Sequence, residues 1–146
     1  SDRTVSYQTG ARAFFDAAVG TRRYLLTYRN GGHALGLNSV PEAMRARLWD
    51  FDWFEDPVWR KDRIIAINLH MITAFLDRYV KLDERRAAYL DVAVSDGSAG
   101  VWTPAAGTPY AAYSPATDGI TVWKGFQRNH AAGLELLGRG PDVRER

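Results

Sequence analysis

Apolar positions along the first ninety residues change spacing from helix to strand and back to helix. Tyr7, Ala11, Phe14, Phe15 and Ala18 stand at the i, i+4, i+7, i+8, i+11 spacing of an amphipathic helix, and Gly20 tolerates a left-handed stop, so the pattern predicts a helix over residues 7–19. The run Arg23-Tyr24-Leu25-Leu26-Thr27-Tyr28 is short, apolar and aromatic, and Asn30-Gly31-Gly32 ends it, which reads as a mostly buried strand entering a turn. Helix then strand is half of an α/β repeat. Pro41 opens a short predicted helix over residues 42–48, and the mixed acids and aromatics of WDFDWFEDPVW, residues 49–59, read as a loop or cap. Over residues 58–80, Ile64, Ile65, Leu69, Ile72, Phe75, Leu76 and Tyr79 keep helical spacing and give the longest helix of the chain, with a weaker one over 83–90.

Residues 95–119 are rich in Gly, Pro, Ser, Thr and Ala and have no period, so they read as a linker, a lid or a trailing wrap. Apolar residues return over 120–126 and 131–137, before a charged tail, PDVRER, expected to fray. This divides the chain into an ordered part, 1–94, and an irregular C-terminal extension, 95–146, with no internal repeat. At 146 residues, 46% hydrophobic and 12% aromatic, the chain can form one globular domain with a real core. Collagen, long coiled coils, disulfide miniproteins and disorder over the whole length are excluded.

Nineteen Lys and Arg against seventeen Asp and Glu leave a net charge of +2, interleaved rather than clustered, which gives no support to nucleic-acid binding. The densest basic pairs, Arg22-Arg23 and Arg85-Arg86, read as solvated edges. The absence of cysteine excludes disulfides, thiolate zinc sites and a cysteine nucleophile in this chain, without fixing the compartment. No apolar run is long enough to span a bilayer, and SDRTVSYQTG has no signal-peptide pattern. The first residue is Ser1 and not Met, which leaves a longer polypeptide open.

His33 carries the strongest chemical signal. It lies in Gly31-Gly32-His33-Ala34-Leu35-Gly36, just after the strand, where flanking glycines leave the imidazole unshielded and able to act as a general base. The alternative is a merely solvated loop histidine. Asp50, Asp52, Glu55 and Asp56 gather four carboxylates, but Phe51, Trp53 and Phe54 break the order an EF-hand needs, and a solvated cap loop is the simpler reading. His70 falls among apolar helix positions and is expected to satisfy a core hydrogen bond, while His130 is expected to be exposed.

Four segments resemble the C-terminal part of an α/β-hydrolase of the dienelactone hydrolase-like type, related to platelet-activating-factor acetylhydrolases. They are SDRTVSY at residues 1–7, RRYLLTYRNGGHALG at 22–36, DPVWRKDRIIAINLHMITAFLDRYVK at 56–81 and VWKGFQRNHAAGLELL at 122–137. The resemblance implies an α/β fold class: the C-terminal portion of a hydrolase sheet-and-helix domain, helix-rich with few strands, followed by an irregular C-terminal segment. In that superfamily the triad order is nucleophile, acid, histidine. Asp2 then takes the place of the acid and His33 that of the base, and the helix and strand read between them fit the separation. The implied substrates are small carboxylic esters or lactones, with no metal or organic cofactor.

Trp49, Trp53 and Phe54 could wall the substrate pocket, or could pack a cap onto the sheet. A nucleophile elbow, G-x-S-x-G, is missing, since Asp96-Gly97-Ser98-Ala99-Gly100 has the wrong glycine spacing and follows His33. The chain alone is therefore expected to be inactive. The rival expectation is a non-catalytic binding module whose aromatic cap and long helix receive an apolar ligand or partner. An incomplete sheet would also favour self-association.

Overall fold

The computed structural model describes residues 4–36, 40, 42–45, 54–103, 107, 119–127 and 129–142. It is helix-rich with few strands. Helix α1 spans Ala11–Ala17, strand β1 Arg23–Tyr28, α2 Glu42–Arg45, α3 Lys61–Tyr79, α4 Ala87–Leu90 and strand β2 Leu134–Arg139. Short 3-10 turns cover His33–Gly36, Glu84–Arg86 and Gly97–Ala99.

The long helix begins at Lys61 rather than at 58, because Arg60 is still extended at φ −63°, ψ 133°. Helix α1 is shorter than its apolar spacing suggests. Gly10 N–H bonds to Ser6 C=O at 2.8 Å, so the chain makes a turn before Ala11.

The two strands pair antiparallel, with Tyr28 opposite Leu134, Leu26 opposite Leu136 and Tyr24 opposite Gly138. Side chains alternate faces along a strand, so Tyr24, Leu26, Tyr28, Leu134 and Leu136 share one face. Ile64, Ile67, Met71 and Ala74 recur every three or four residues along α3 and form its buried stripe. With Trp59, Trp123 and Phe126, Ile64, Ile67 and Met71 of that stripe and the sheet face make the main core.

The region read as an irregular extension therefore supplies β2 and two core aromatics. Its Leu136 N–H also bonds to Ser95 C=O at 3.0 Å, and Asp96 bridges to Glu135, which ties the start of the region to the outer edge of β2.

On the opposite face, Phe15 of α1 lies under the guanidiniums of Arg23 and Arg139, each 5.5 Å from its ring centre. Arg23 is buried, against the expectation of a solvated pair. Its Nη1 donates to Gly140 C=O at 2.9 Å and its Nη2 meets Asp142 at 3.4 Å, partners that sequence proximity could not supply. Among the described residues no helix is long and apolar enough to cross a membrane.

Candidate functional site

The segment from Arg29 to Gly36 leaves the carboxyl end of β1 and carries His33. Asn30 takes φ 60°, in the left-handed region that Asn tolerates, and turns the chain. Gly31 is packed closely, since a Cβ there would lie 2.7 Å from Leu35 Cδ1, which would have to move aside, and 3.1 Å from Tyr28 Cβ. His33 then opens the 3-10 turn with its side chain exposed, while Ala34 behind it is buried.

Side chains from residues 56–68 hold this backbone at successive points. Asp56, buried itself, accepts from Gly32 N–H through Oδ2, and from Val58 N–H at 2.9 Å and Trp59 N–H at 2.6 Å through Oδ1. Trp59 Nε1 donates to Arg29 C=O at 2.9 Å. The buried Lys61 ammonium donates to Ala34 C=O, and Asn68 Nδ2 to Leu35 C=O at 3.3 Å. Tyr28 closes the set by donating its hydroxyl to Asn68 Oδ1 at 2.8 Å, and burial pushes its phenol well above the usual range, so it stays a donor. An exposed imidazole on a backbone clamped in this way can exchange a proton with a group outside the chain at a fixed position.

Beside the turn is a cavity of about 370 Å³ lined by residues on both sides of the chain: Val5, Ser6, Tyr7 and Ala11 face Leu25 through Gly32 and Leu35. The N-terminal segment thus comes back to the end of β1 that carries the histidine. A second cavity, of about 670 Å³, lies across α3 and includes Arg63, His70, Phe126 and His130. The His70 ring sits edge-on to Tyr89 and Phe126 at 5.4 and 5.3 Å, and its buried Nε2 has no partner among the described residues. Burial lowers its pKa, with a hydrogen bond to the Lys124 backbone pulling the other way. His70 is a neutral packing group, and His130 is exposed as its sequence suggests.

Of the residues singled out from sequence, His33 stands at the strand end and Phe54 is half-buried; Asp2, Trp49 and Trp53 lie outside the described residues. Asp56 departs from the reading of these acids as a solvated loop, because three backbone donors replace its water, while Asp50 and Asp52 lie outside the described residues. Sequence reasoning missed Asp56, Lys61 and Asn68 as supports of the histidine loop. Asp56 alone left a signal: an Asp followed by Pro and Trp just before a helix can accept from backbone N–H groups two and three residues on. Among the described residues no group of three or more His, Asp or Glu could hold a metal ion.

Comparison with protein families, with curated proteins and with solved structures finds no match to this chain.

Proposed function

We propose that this chain is the histidine-bearing portion of an α/β-hydrolase acting on carboxylic esters or lactones, with a hydroxyl nucleophile carried by polypeptide outside these residues. The observation that carries the reading is His33, exposed at the carboxyl end of β1 on backbone held by Asp56, Trp59, Lys61 and Asn68. Catalytic groups of α/β sheets gather at that end of the strands. The shared cavity of Val5–Tyr7 and the Gly31-Gly32 turn brings the N-terminal segment to the loop that carries His33.

In this reading His33 accepts the hydroxyl proton as the oxygen attacks the substrate carbonyl, then returns it to the leaving alcohol. Asp2 holds the imidazole in one tautomer and stabilises its cation. With no G-x-S-x-G in the sequence, residues 1–146 alone hydrolyse p-nitrophenyl acetate no faster than free imidazole at equal concentration. The complete gene product turns the ester over and loses that turnover in His33→Gln and Asp2→Asn. Turnover unchanged by His33→Gln overturns the proposal.

A second reading, a non-catalytic interaction module, is favoured by the exposed apolar side chains Leu69, Ile72 and Leu76 on α3. A complete gene product that never cleaves esters, yet loses a partner on Leu69→Lys, decides for it.

A further inference from the structure

Helix α3 is apolar on two opposite sides. Ile64, Ile67, Met71 and Ala74 form its buried side. At 3.6 residues per turn, Leu69, Ile72, Leu76 and Val80 stand about half a turn round from that stripe, and they are 61%, 56%, 46% and 71% exposed. Val80, the C-cap, still has helical φ and ψ and so extends the row. Arg63, His70 and Asp77 are turned to one flank between the two sides, where Arg63 bonds to His130 C=O, His70 packs on Phe126 and Asp77 pairs with Lys81 and Arg86. From Ile65 to Val80 the outer side holds no charged residue. A helix at the surface carries polar groups on the side away from its core, whereas one that is apolar on both sides is built to be buried.

The outer stripe is symmetric along its length. Ile65, Leu69, Ile72 and Leu76 follow one another at intervals of four, three and four residues, the alternation that seams two helices crossing at about 20°. Ile65 and Val80, and likewise Leu69 and Leu76, lie at equal distances either side of the midpoint between Ile72 and Thr73. A two-fold axis through that midpoint sets Leu69 against Leu76 of an antiparallel second copy and Ile65 against its Val80, apolar on apolar, with Ile72 beside the axis. A partner of another kind has no need of this symmetry, and a second copy does.

The area is sufficient. With Ile65 and Tyr79 the stripe presents on the order of 500 Å² per copy, so a dimer covers about 1,000 Å² in all, the lower bound for a specific interface. An open sheet grows sideways from its edge strand, in the layer under α3, so strands added beside β1 would leave this side bare.

We infer that the outer side of α3 is a homodimer contact, in which two copies of this chain pack α3 against α3, antiparallel, about a two-fold axis between Ile72 and Thr73. The inference stands apart from the hydrolase reading, since it uses no residue of the histidine loop.

Sedimentation of residues 1–146 tests it. The mass rises from 16.4 kDa to twice that value between about 1 and 300 µM and stops there, the weak association expected of so small an interface. Leu69→Lys and Leu76→Glu each stay monomeric, and in dilute solution each melts where the unaltered monomer does, because both side chains are exposed. An equimolar mixture of the two dimerises again, since the new cation and the new carboxylate then face each other across the seam. The chain has no cysteine, so Ile72→Cys cross-links to its own copy under mild oxidation. Ala66→Cys does not, as its two copies lie about 20 Å apart along the helices. A chain still monomeric at about 300 µM overturns the inference, as does a dimer that survives Leu69→Lys, a mixture that stays monomeric, or growth past the dimer. A short chain that dimerises within a gene product that does not assigns the stripe to further polypeptide and also overturns it. Dimers of a product that cleaves no ester uphold the inference and remove the hydrolase.

Discussion

Replacing Asp56 by alanine takes the acceptor from three backbone N–H groups at once, those of Gly32, Val58 and Trp59. Their fates differ. Val58 is exposed and its N–H finds water, Gly32 is half-buried and finds water only after the loop loosens, and the Trp59 bond is buried. A hydrogen bond to a charged acceptor contributes about 1.5–3 kcal/mol, and a stranded buried donor costs about 1–3 kcal/mol. One full loss at Trp59, a partial loss at Gly32 and almost none at Val58, offset by relief of the buried carboxylate, come to about 3 kcal/mol. Urea unfolding followed by tryptophan fluorescence measures this, with an unchanged m-value showing that the transition is the same. The Gly32 amide should also exchange faster. Asp56→Asn should recover only part of the loss, because its NH2 group must face one of the donors. A change below about 1 kcal/mol, with the Gly32 amide still slow, refutes the idea that this carboxylate clamps the histidine loop.

His33→Gln should leave the stability of residues 1–146 within about 0.5 kcal/mol, since its side chain is exposed; a larger change in urea unfolding would make it structural. Gly125→Ala should cost about 2–3 kcal/mol, because Gly125 has φ +87° and a Cβ there would lie 2.3 Å from His70 Cε1; thermal melts should show part of the loss recovered in the double variant with His70→Ala. His70 is harder to protonate in the folded chain than at its ordinary value of 6.5. Below that pH the unfolded chain binds the proton first, so stability should fall as pH drops from 6.5 toward the folded value, and unfolding of His70→Leu across that window should lack this decline. Trp59→Ala should cost about 3–5 kcal/mol, as it removes a core ring 5.0 Å from Tyr28 and the bond to Arg29; a loss under about 1 kcal/mol in urea would place Trp59 outside the core.

The parts legible in the sequence are those whose cause is local. β1 follows from a dense apolar run and a glycine stop, and α3 from sustained 3.6-residue spacing. β2 was obscured by its setting: Leu134 and Leu136 alternate with Glu135, but Leu137 interrupts the alternation and a partner more than a hundred residues away completes it. The buried charges were misread for the same reason. Arg23 donates to Gly140 C=O and meets the Asp142 carboxylate, and Asp56 accepts from Gly32 N–H, contacts that only the folded chain makes. At the candidate site, the glycines around His33 pointed to an open imidazole, whereas the clamp behind it depends on Lys61 and Asn68, whose positions on a helix look like ordinary surface.

Pairing β1 with β2, more than a hundred residues on, has a cost during synthesis. At cellular elongation rates of about 5–20 residues per second, Arg23–Tyr28 emerges roughly 5–20 s before Leu134–Arg139 can reach it. Throughout that interval RYLLTY is an uncoupled, sticky ribbon on a nascent polypeptide, open to chaperones and to neighbouring ribosomes' products alike. A stop codon before Leu134 would leave that ribbon without β2, so products clipped there should precipitate or be degraded instead of persisting as shortened copies.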